Sequence, residues 1–439
     1  MSIQQNAELT VCSCGKVHVK DDGDCIVKRG AIDLLPEYVR KMNVQKVFVL
    51  ADINTYPVAG EKVCRVLEES GIAYSKYIFN EKALEPDEKA VGSAVMHYDA
   101  KCDLVVGVGS GVINDISKIL SNLTRNPYII VATAPSMDGY ASATSSMTLD
   151  GIKVSLPSKC ADVILGDLDV LCEAPLKMMI SGLGDMLAKY VSICEWRLSH
   201  LITGEYYCEE IAGMVRTALK RCVDNADGLL KRDEEAVAAV FDGLVFCGRA
   251  MKYAGLSRPA SGVEHYFSHV WDMRGAEFGT PVEFHGIQCA VGTLLAVKLY
   301  EKLTAMTPDR EKALAYVQNF DFGAWSEILR EFIGKGAENM IALEAKEQKY
   351  NVERHAVRLE HILNHWDDIL QIIREELPSY TELEALFDKL GAPKTMKEIG
   401  IDEGIFALTF KATKDIRDKY VLSRLCWDLG VLDEMAVLN

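Results

Sequence analysis

Four side chains in the middle of the sequence have the types and spacing of a metal-centred catalyst. Asp185 stands near the start of a helix-like run in GLGDMLAKY, and His285 precedes a glycine in EFHGIQCAVG, at the entry to an apolar helix. His265 and His269 are four apart in SRPASGVEHYFSHVW and so share one helical face. Taken singly, each histidine fits a core or capping role. Three of the nine histidines, however, fall between positions 265 and 285, in strongly punctuated sequence. One aspartate and two histidines can hold a divalent ion while leaving positions open for substrate oxygens, as Lewis-acid catalysis requires.

A second group suits a phosphate-bearing ligand. In CDLVVGVGSGVINDISKIL an apolar strand runs into Gly107, Gly109 and Gly111 and then into a helix. Glycines there let the backbone approach a pyrophosphate, and the helix N-terminus offers N–H groups and a positive dipole end. Asp115 and Lys118 lie one turn further on, facing the same way. The spacing is not G-x-G-x-x-G, so an ordinary strand-to-helix turn is the competing account. The next strand ends in TAPSMDGYASATSSM, rich in Ser, Thr and Gly, with Asp138 its one acid. Such a loop can bond phosphates and ribose, or can be polar surface. Cys12, Cys14 and His18 invite a zinc reading, but one residue separates the cysteines and no second ligand pair follows, so a short strand pair is expected there.

These residues need elements to position them. Between Ile26 and Asp167, short apolar runs (KVFVLAD, IAYSKYIF, CDLVVGVGS, NPYIIVATAP) alternate with helical patterns (AIDLLPEYVRKM, GEKVCRVLEESG, EKAVGSAVMHYDA), which predicts a parallel sheet covered by helices. After Leu168 the periodicity is helical almost throughout. The charged stretch Glu344 to Glu376 reads as an exposed, solvated helical face.

The bulk numbers agree with an enzyme of this kind. The 439 residues are 49% hydrophobic and 26% charged, the balance of a globular chain. The formal charge is 48 − 64 = −16 with no Lys/Arg run, which argues against a nucleic-acid surface. No stretch reaches the roughly 18 apolar residues of a membrane span. The first residues carry neither a basic nor an apolar signal region, so a cytoplasmic protein is expected. The thirteen scattered cysteines are then read as mostly reduced and buried. Association into a homo-oligomer is expected from the apolar helical half.

The order of motifs resembles the glycerol-1-phosphate dehydrogenases, in the superfamily that includes glycerol dehydrogenase, iron-type alcohol dehydrogenases and dehydroquinate synthase. The matching pieces are GVGSGVIND, TAPSMDGYAS, GLGDMLAK, SRPASGVEH with HVW, and His285-Gly286. The segment GAPKTMKEIGI to ALTFKATKDIRDKYVLSRL is similar to the tail of the bacterial branch, so the resemblance runs from about residue 20 to about residue 435. It implies the dehydroquinate synthase-like fold: an α/β Rossmann-like parallel-sheet domain over 1–168 and an all-α metal- and substrate-binding domain over 169–439.

The same resemblance implies roles. Gly109, Ser110, Gly111, Val112 and Ile113 would hold the pyrophosphate of NAD(H) or NADP(H), with Thr133, Ser136 and Ser142 lining the cofactor and Asp52 at its adenosine end. Asp138 and His269 would contact substrate, Asp185 both substrate and metal, and His265 and His285 would complete the metal site. Arg258 and Lys118, or the hydroxyls of Ser257 and Ser261, are candidates for a substrate phosphate. The implied reaction is reversible reduction of dihydroxyacetone phosphate, a small phosphorylated triose, to sn-glycerol 1-phosphate. One divalent ion, zinc before nickel or iron, would polarise the C2 oxygen, and His269 would pass the proton. Asp185 and His269 are thus the expected catalytic pair. The chain departs from the family pattern in reading Gly-Ser-Gly where many relatives have three glycines, and in added helical sequence around 340–376. A glycerol dehydrogenase acting on an unphosphorylated polyol is the nearest alternative. A dehydroquinate-synthase-like cyclase would need a Lys/Arg cluster that the sequence does not show.

Overall fold

The computed structural model describes residues 12–18, 23–149 and 152–437. The strand pair expected at the N-terminus falls partly outside these residues. Two compact units emerge: residues 1–186 with 213–256, and residues 187–212 with 257–439.

The first unit is built on a six-stranded parallel sheet. Its strands are β1 (Asp24–Lys28), β2 (Lys46–Asp52), β3 (Ala73–Phe79), β4 (Leu104–Gly109), β5 (Tyr128–Ala132) and β8 (Val163–Asp167), in the order β1-β8-β5-β4-β2-β3. Parallel neighbours need crossover connections, which is why the apolar runs alternate with helices. Helices cover both faces, so the central strands can be apolar throughout. Val47, Val49, Leu104, Val106, Ile129, Val131 and Leu165 pack with Ile32, Leu35, Val63 and Leu67 from the crossovers, all fully or almost fully buried. From β2 the chain moves outward to β3; β4 then returns to the other side of β2, and β5 continues away from it. The order therefore reverses between β2 and β4, and a crevice at the carboxyl ends of such strands is where open α/β sheets bind ligands. Gly109 ends β4 and Asp52 ends β2.

Two features of this unit go beyond the expected alternation. The Ser/Thr-rich loop runs into an antiparallel hairpin, β6 (Thr144–Leu149) with β7 (Ile152–Pro157). In addition, the change to helical periodicity at 168/169 is not where the unit ends. Helix Glu234–Ala254 belongs with the sheet: the Phe241 ring lies where a Cβ on Gly166 of β8 would be, and sits 5.3 Å from the Tyr140 ring.

The second unit is helical, with no strand among its described residues. Helix His285–Thr304 is buried on nearly every side, which explains why its apolar residues show little periodicity. Around Val270 of helix Val263–Phe278, a core gathers Trp325, Leu329, Phe332, Ile333, Met340 and Ala412. The charged stretch expected to be a solvated face proves to be two-sided. Helices Val352–Asn364 and Trp366–Glu376 bury Leu359, Ile362, Ile369 and Ile373, and Arg358 makes a two-pronged bond to buried Asp428 at 2.6 and 2.7 Å. No helix among the described residues is long and apolar enough to cross a membrane.

Candidate active site

The glycine loop stands at the sheet's switch point. Helix Gly111–Thr124 begins directly after β4 with Ser110 as its N-cap, and its first intrahelical bond runs from the Asn114 N–H to the Ser110 carbonyl at 2.9 Å. The N–H groups of Gly111, Val112 and Ile113 precede that bond, as a helix start requires, and make a ready anion site. The glycines have different reasons. A Cβ on Gly109 would lie 2.6 Å from that of Ile113, so Gly109 permits the helix to close on the strand; at Gly111 the nearest contact is Met137 at 3.7 Å, leaving room above the helix start. Thr133, Ser136 and Ser142 are each buried on the neighbouring loop, and the Thr133 N–H bonds the Gly109 carbonyl at 3.2 Å. Asp52 accepts the N–H groups of Asn54 and Thr55 through one oxygen, both at 2.8 Å, and so caps the turn after β2 on the other side of the switch point.

Asp138 and Asp185 are brought together within the first unit. Asp185, fully buried, accepts the Asp138 N–H at 2.9 Å. One turn earlier in the same helix, the Ser181 hydroxyl donates to the Ser136 carbonyl at 3.0 Å. Between them, a Cβ on Gly182 would sit 1.9 Å from the Pro135 carbonyl oxygen, so only glycine lets this helix approach the loop. The G-L-G-D spacing thus puts a packing glycine and an acid three residues apart, on one helical face.

The three histidines gather within the second unit. Ring centroids lie 5.1 Å apart for His265 and His285, 6.5 Å for His265 and His269, and 6.3 Å for His269 and His285. Both expected ligands are held through Nδ1: His265 by Glu264 Oε1 at 2.8 Å and His285 by the Ser268 hydroxyl at 3.2 Å. Anchoring one ring nitrogen on a carboxylate or hydroxyl is the outer-shell pattern of metal-binding histidines, and it directs Nε2 to the ion. Two imidazoles so prepared suit a divalent metal in chemistry and leave its remaining positions to oxygen donors.

Behind His265 lies a pair of buried acids that sequence reasoning missed. Glu264 also accepts the Gly262 N–H at 2.7 Å, and Glu195 accepts the N–H groups of Val263 and Leu422 at 2.9 and 2.7 Å. Together they satisfy two donors, the Gly262 and Val263 N–H groups, at the start of helix Val263–Phe278. Burial, and next the charge of Glu264, push Glu195 up to about 8. Cys289 was also missed: its sulfur lies 3.6 Å from His285 Nε2, and His265, His285 and Cys289 could offer ligand atoms to one ion. Burial raises the Cys289 pKa, but the two histidines outweigh it and the net shift is downward. The H-x-x-x-C spacing, one helical turn, was the available signal.

Two expected phosphate ligands are engaged elsewhere. Lys118 is completely buried and donates to the carbonyls of Gly139 and Thr144, with Asp115 at 3.8 Å. Burial lowers its pKa and pushes Asp115 up to about 6. It anchors the loop that carries Asp138. Arg258, also buried, bonds Glu205, the Tyr420 carbonyl at 2.8 Å and the Ser199 hydroxyl at 3.0 Å. These contacts make it a cross-link within the second unit, because its charge is already matched. The Ser261 hydroxyl accepts from Lys419 Nζ at 2.7 Å, and Ser261 also donates to the Ser257 carbonyl at 3.2 Å.

Comparison with known proteins fits this arrangement. The family model of iron-containing alcohol dehydrogenases matches residues 26–175. The chain is 34% identical over 294 residues to a glycerol-1-phosphate dehydrogenase [NAD(P)+] of Halalkalibacterium halodurans, covering 66% of this chain and 74% of the relative. A protein of the same name from Bacillus licheniformis is 25% identical over 428 residues, 97% of this chain and 94% of the relative. Among solved structures, glycerol dehydrogenase from Schizosaccharomyces pombe matches 94% of this chain and 89% of its own with a TM-score of 0.62 at 17% identity. Maleylacetate reductase from a Rhizobium species matches 96% and 97% with a TM-score of 0.63 at 16% identity. At these identities the solved structures speak for the fold.

Proposed function

We infer the reaction from one premise: this chain belongs to the glycerol-1-phosphate dehydrogenase family, within the iron-containing alcohol dehydrogenases. It is an NAD(P)-dependent oxidoreductase. The reaction we assign is the reversible reduction of dihydroxyacetone phosphate to sn-glycerol 1-phosphate. The observation that carries it is the pair His265 and His285, 5.1 Å apart, each anchored through Nδ1.

We assign His265, His285 and Asp185 to one divalent ion, zinc first, with nickel and iron also suited to imidazole and carboxylate donors. When bound, the ion supplies Lewis acidity at the C2 oxygen. The chain's own residues do the rest. The N–H groups at Gly111 to Ile113 bind the dinucleotide's pyrophosphate, and the hydroxyls of Thr133, Ser136 and Ser142 line its path. Asp138, fixed by its bond to Asp185, orients the substrate. The nicotinamide, when bound, would supply the hydride for C2; His269 would donate a proton to the C2 oxygen and, in the reverse direction, take it back. One ketone, one NAD(P)H and one proton give one alcohol and one NAD(P)+.

The test follows NAD(P)H absorbance with dihydroxyacetone phosphate, before chelation, after it, and with zinc, nickel or iron restored. We expect oxidation that chelation abolishes and a divalent ion restores. No oxidation with any ion would sink the assignment, and oxidation of glycerol but not of glycerol 1-phosphate in the reverse assay would transfer it to an unphosphorylated polyol.

A further inference from the structure

A second group of metal-binding side chains lies at the start of the chain. Sequence spacing argued against it, because one residue separates Cys12 from Cys14. The backbone answers that objection. The Gly15 N–H bonds the Cys12 carbonyl at 2.8 Å, and the Cys12 N–H bonds the Lys16 carbonyl at 2.9 Å. Gly15 has φ of +82°, a left-handed conformation that glycine adopts without strain. This tight turn returns the chain at once and carries His18 back to the thiols. The ligand atoms of Cys12, Cys14 and His18 all lie within 4.8 Å of one another.

The finer geometry matches a shared ion. Cys14 Sγ and His18 Nε2 are 3.3 Å apart. Bonds of about 2.3 Å to sulfur and about 2.0–2.1 Å to nitrogen at tetrahedral angles put such atoms about 3.6 Å apart. His18 Nδ1 faces the Tyr253 carbonyl at 3.1 Å, in the last turn of helix Glu234–Ala254. That bond places the ring proton on Nδ1 and turns the Nε2 lone pair toward the sulfurs, as an outer-shell carbonyl does for a ligating histidine. The Cys14 N–H points at Cys12 Sγ at 3.5 Å, a contact that supports a thiolate. Cys12 is buried, so the sulfur is not a surface thiol.

We propose that Cys12, Cys14 and His18 hold a structural zinc ion, in addition to the ion assigned to His265 and His285. Two thiolates and an imidazole select a soft-tolerant ion, and zinc suits that set without redox chemistry. Binding releases the two thiol protons. Through Tyr253 the ion would tie the N-terminal turn to the end of the helix that packs on β8. A tetrahedral ion would have one further position beyond these three ligands.

The experiment measures zinc per chain by elemental analysis in the full-length protein and in Cys12→Ser/Cys14→Ser. We expect the variant to carry one equivalent less. Equal zinc in both, or a Cys12–Cys14 disulfide in protein purified under air-free conditions, would overturn the proposal. Should the variant fail to fold, Cys289→Ser protein, which lacks the thiol beside the catalytic histidines, is loaded with cobalt. A near-ultraviolet thiolate-to-cobalt band is expected there, weakened in Cys289→Ser/His18→Ala; no such band would overturn it.

Discussion

His265 and His285, each anchored through Nδ1, are assigned to the ion and His269 to the proton, and these different roles make their substitutions separable. His265→Ala or His285→Ala should lose bound metal and activity together. His269→Ala should keep the ion and lose about 10²–10⁴ in kcat, the usual contribution of a positioned acid–base group. Metal analysis alongside kinetics decides it, and full metal retention in His265→Ala would refute the ligand choice. Glu264→Gln should weaken metal affinity by about 10–100-fold, since the carboxylate orients the ring and raises its basicity. Glu195 yields a stability prediction. Its pKa rises from an ordinary 4.5 to about 8 on folding, so the folded protein holds that proton more tightly. The contribution is complete at pH below about 4.5, declines as pH rises, and is lost above about 8. Glu195→Gln should therefore flatten the fall of stability across that range. Urea midpoints from pH 5 to about 8 check it, and parallel curves for the two proteins would contradict it.

At the scale of elements, close approach sets the geometry. Helix Leu176–Leu187 meets the Ser/Thr-rich loop through Gly182, whose missing side chain leaves space for the Pro135 carbonyl. Gly182→Ala should cost about 1–3 kcal/mol as an overpacked contact and should also lower kcat/KM, because the Asp138–Asp185 bond depends on that approach. Denaturation midpoints and kinetics measured together test this; an unaltered kcat/KM would detach the packing from the site. Helix Val352–Asn364 offers a contrast. Arg358, partly exposed, meets fully buried Asp428, which also accepts the Tyr420 hydroxyl at 2.7 Å. Arg358→Ala should cost about 1.5–3 kcal/mol in denaturation midpoints, the range for hydrogen bonds to a charged group, because Asp428 keeps the Tyr420 hydroxyl and has Arg424 at 3.8 Å. Periodicity and charge made these helices visible in the sequence but not their buried face, because a charged residue that pairs inside looks the same as one that faces water.

At the scale of the whole molecule, the dinucleotide should report on the first unit. At 100 times its Kd, NADH or NADPH should add about 2.7 kcal/mol of stability. Hydrogen-exchange protection should concentrate at residues 107–113 and 133–142; protection confined to 257–439 would contradict the cofactor assignment. What the sequence by itself determined was the class: alternating strands and helices, then helices alone, with glycine, hydroxyl and histidine motifs in the order of a dehydrogenase family. Those are local properties, set by backbone period, turn residues and the chemistry of single side chains. Only the tertiary structure decided where helix Glu234–Ala254 belongs, since apolar periodicity shows that a face is buried but not against what. It decided that Lys118 and Arg258 spend their charge on the protein's own carbonyls and acids, because partners at positions 139 and 144, or 205 and 420, are brought together by folding alone. The same reason hid Glu195, and it left Cys12, Cys14 and His18, which the sequence already showed together, reading as a strand pair until the turn at Gly15 was seen. A proton held at an unusual pH, or three ligand atoms around one point, depends on distances between side chains, and those distances exist only once the chain has folded.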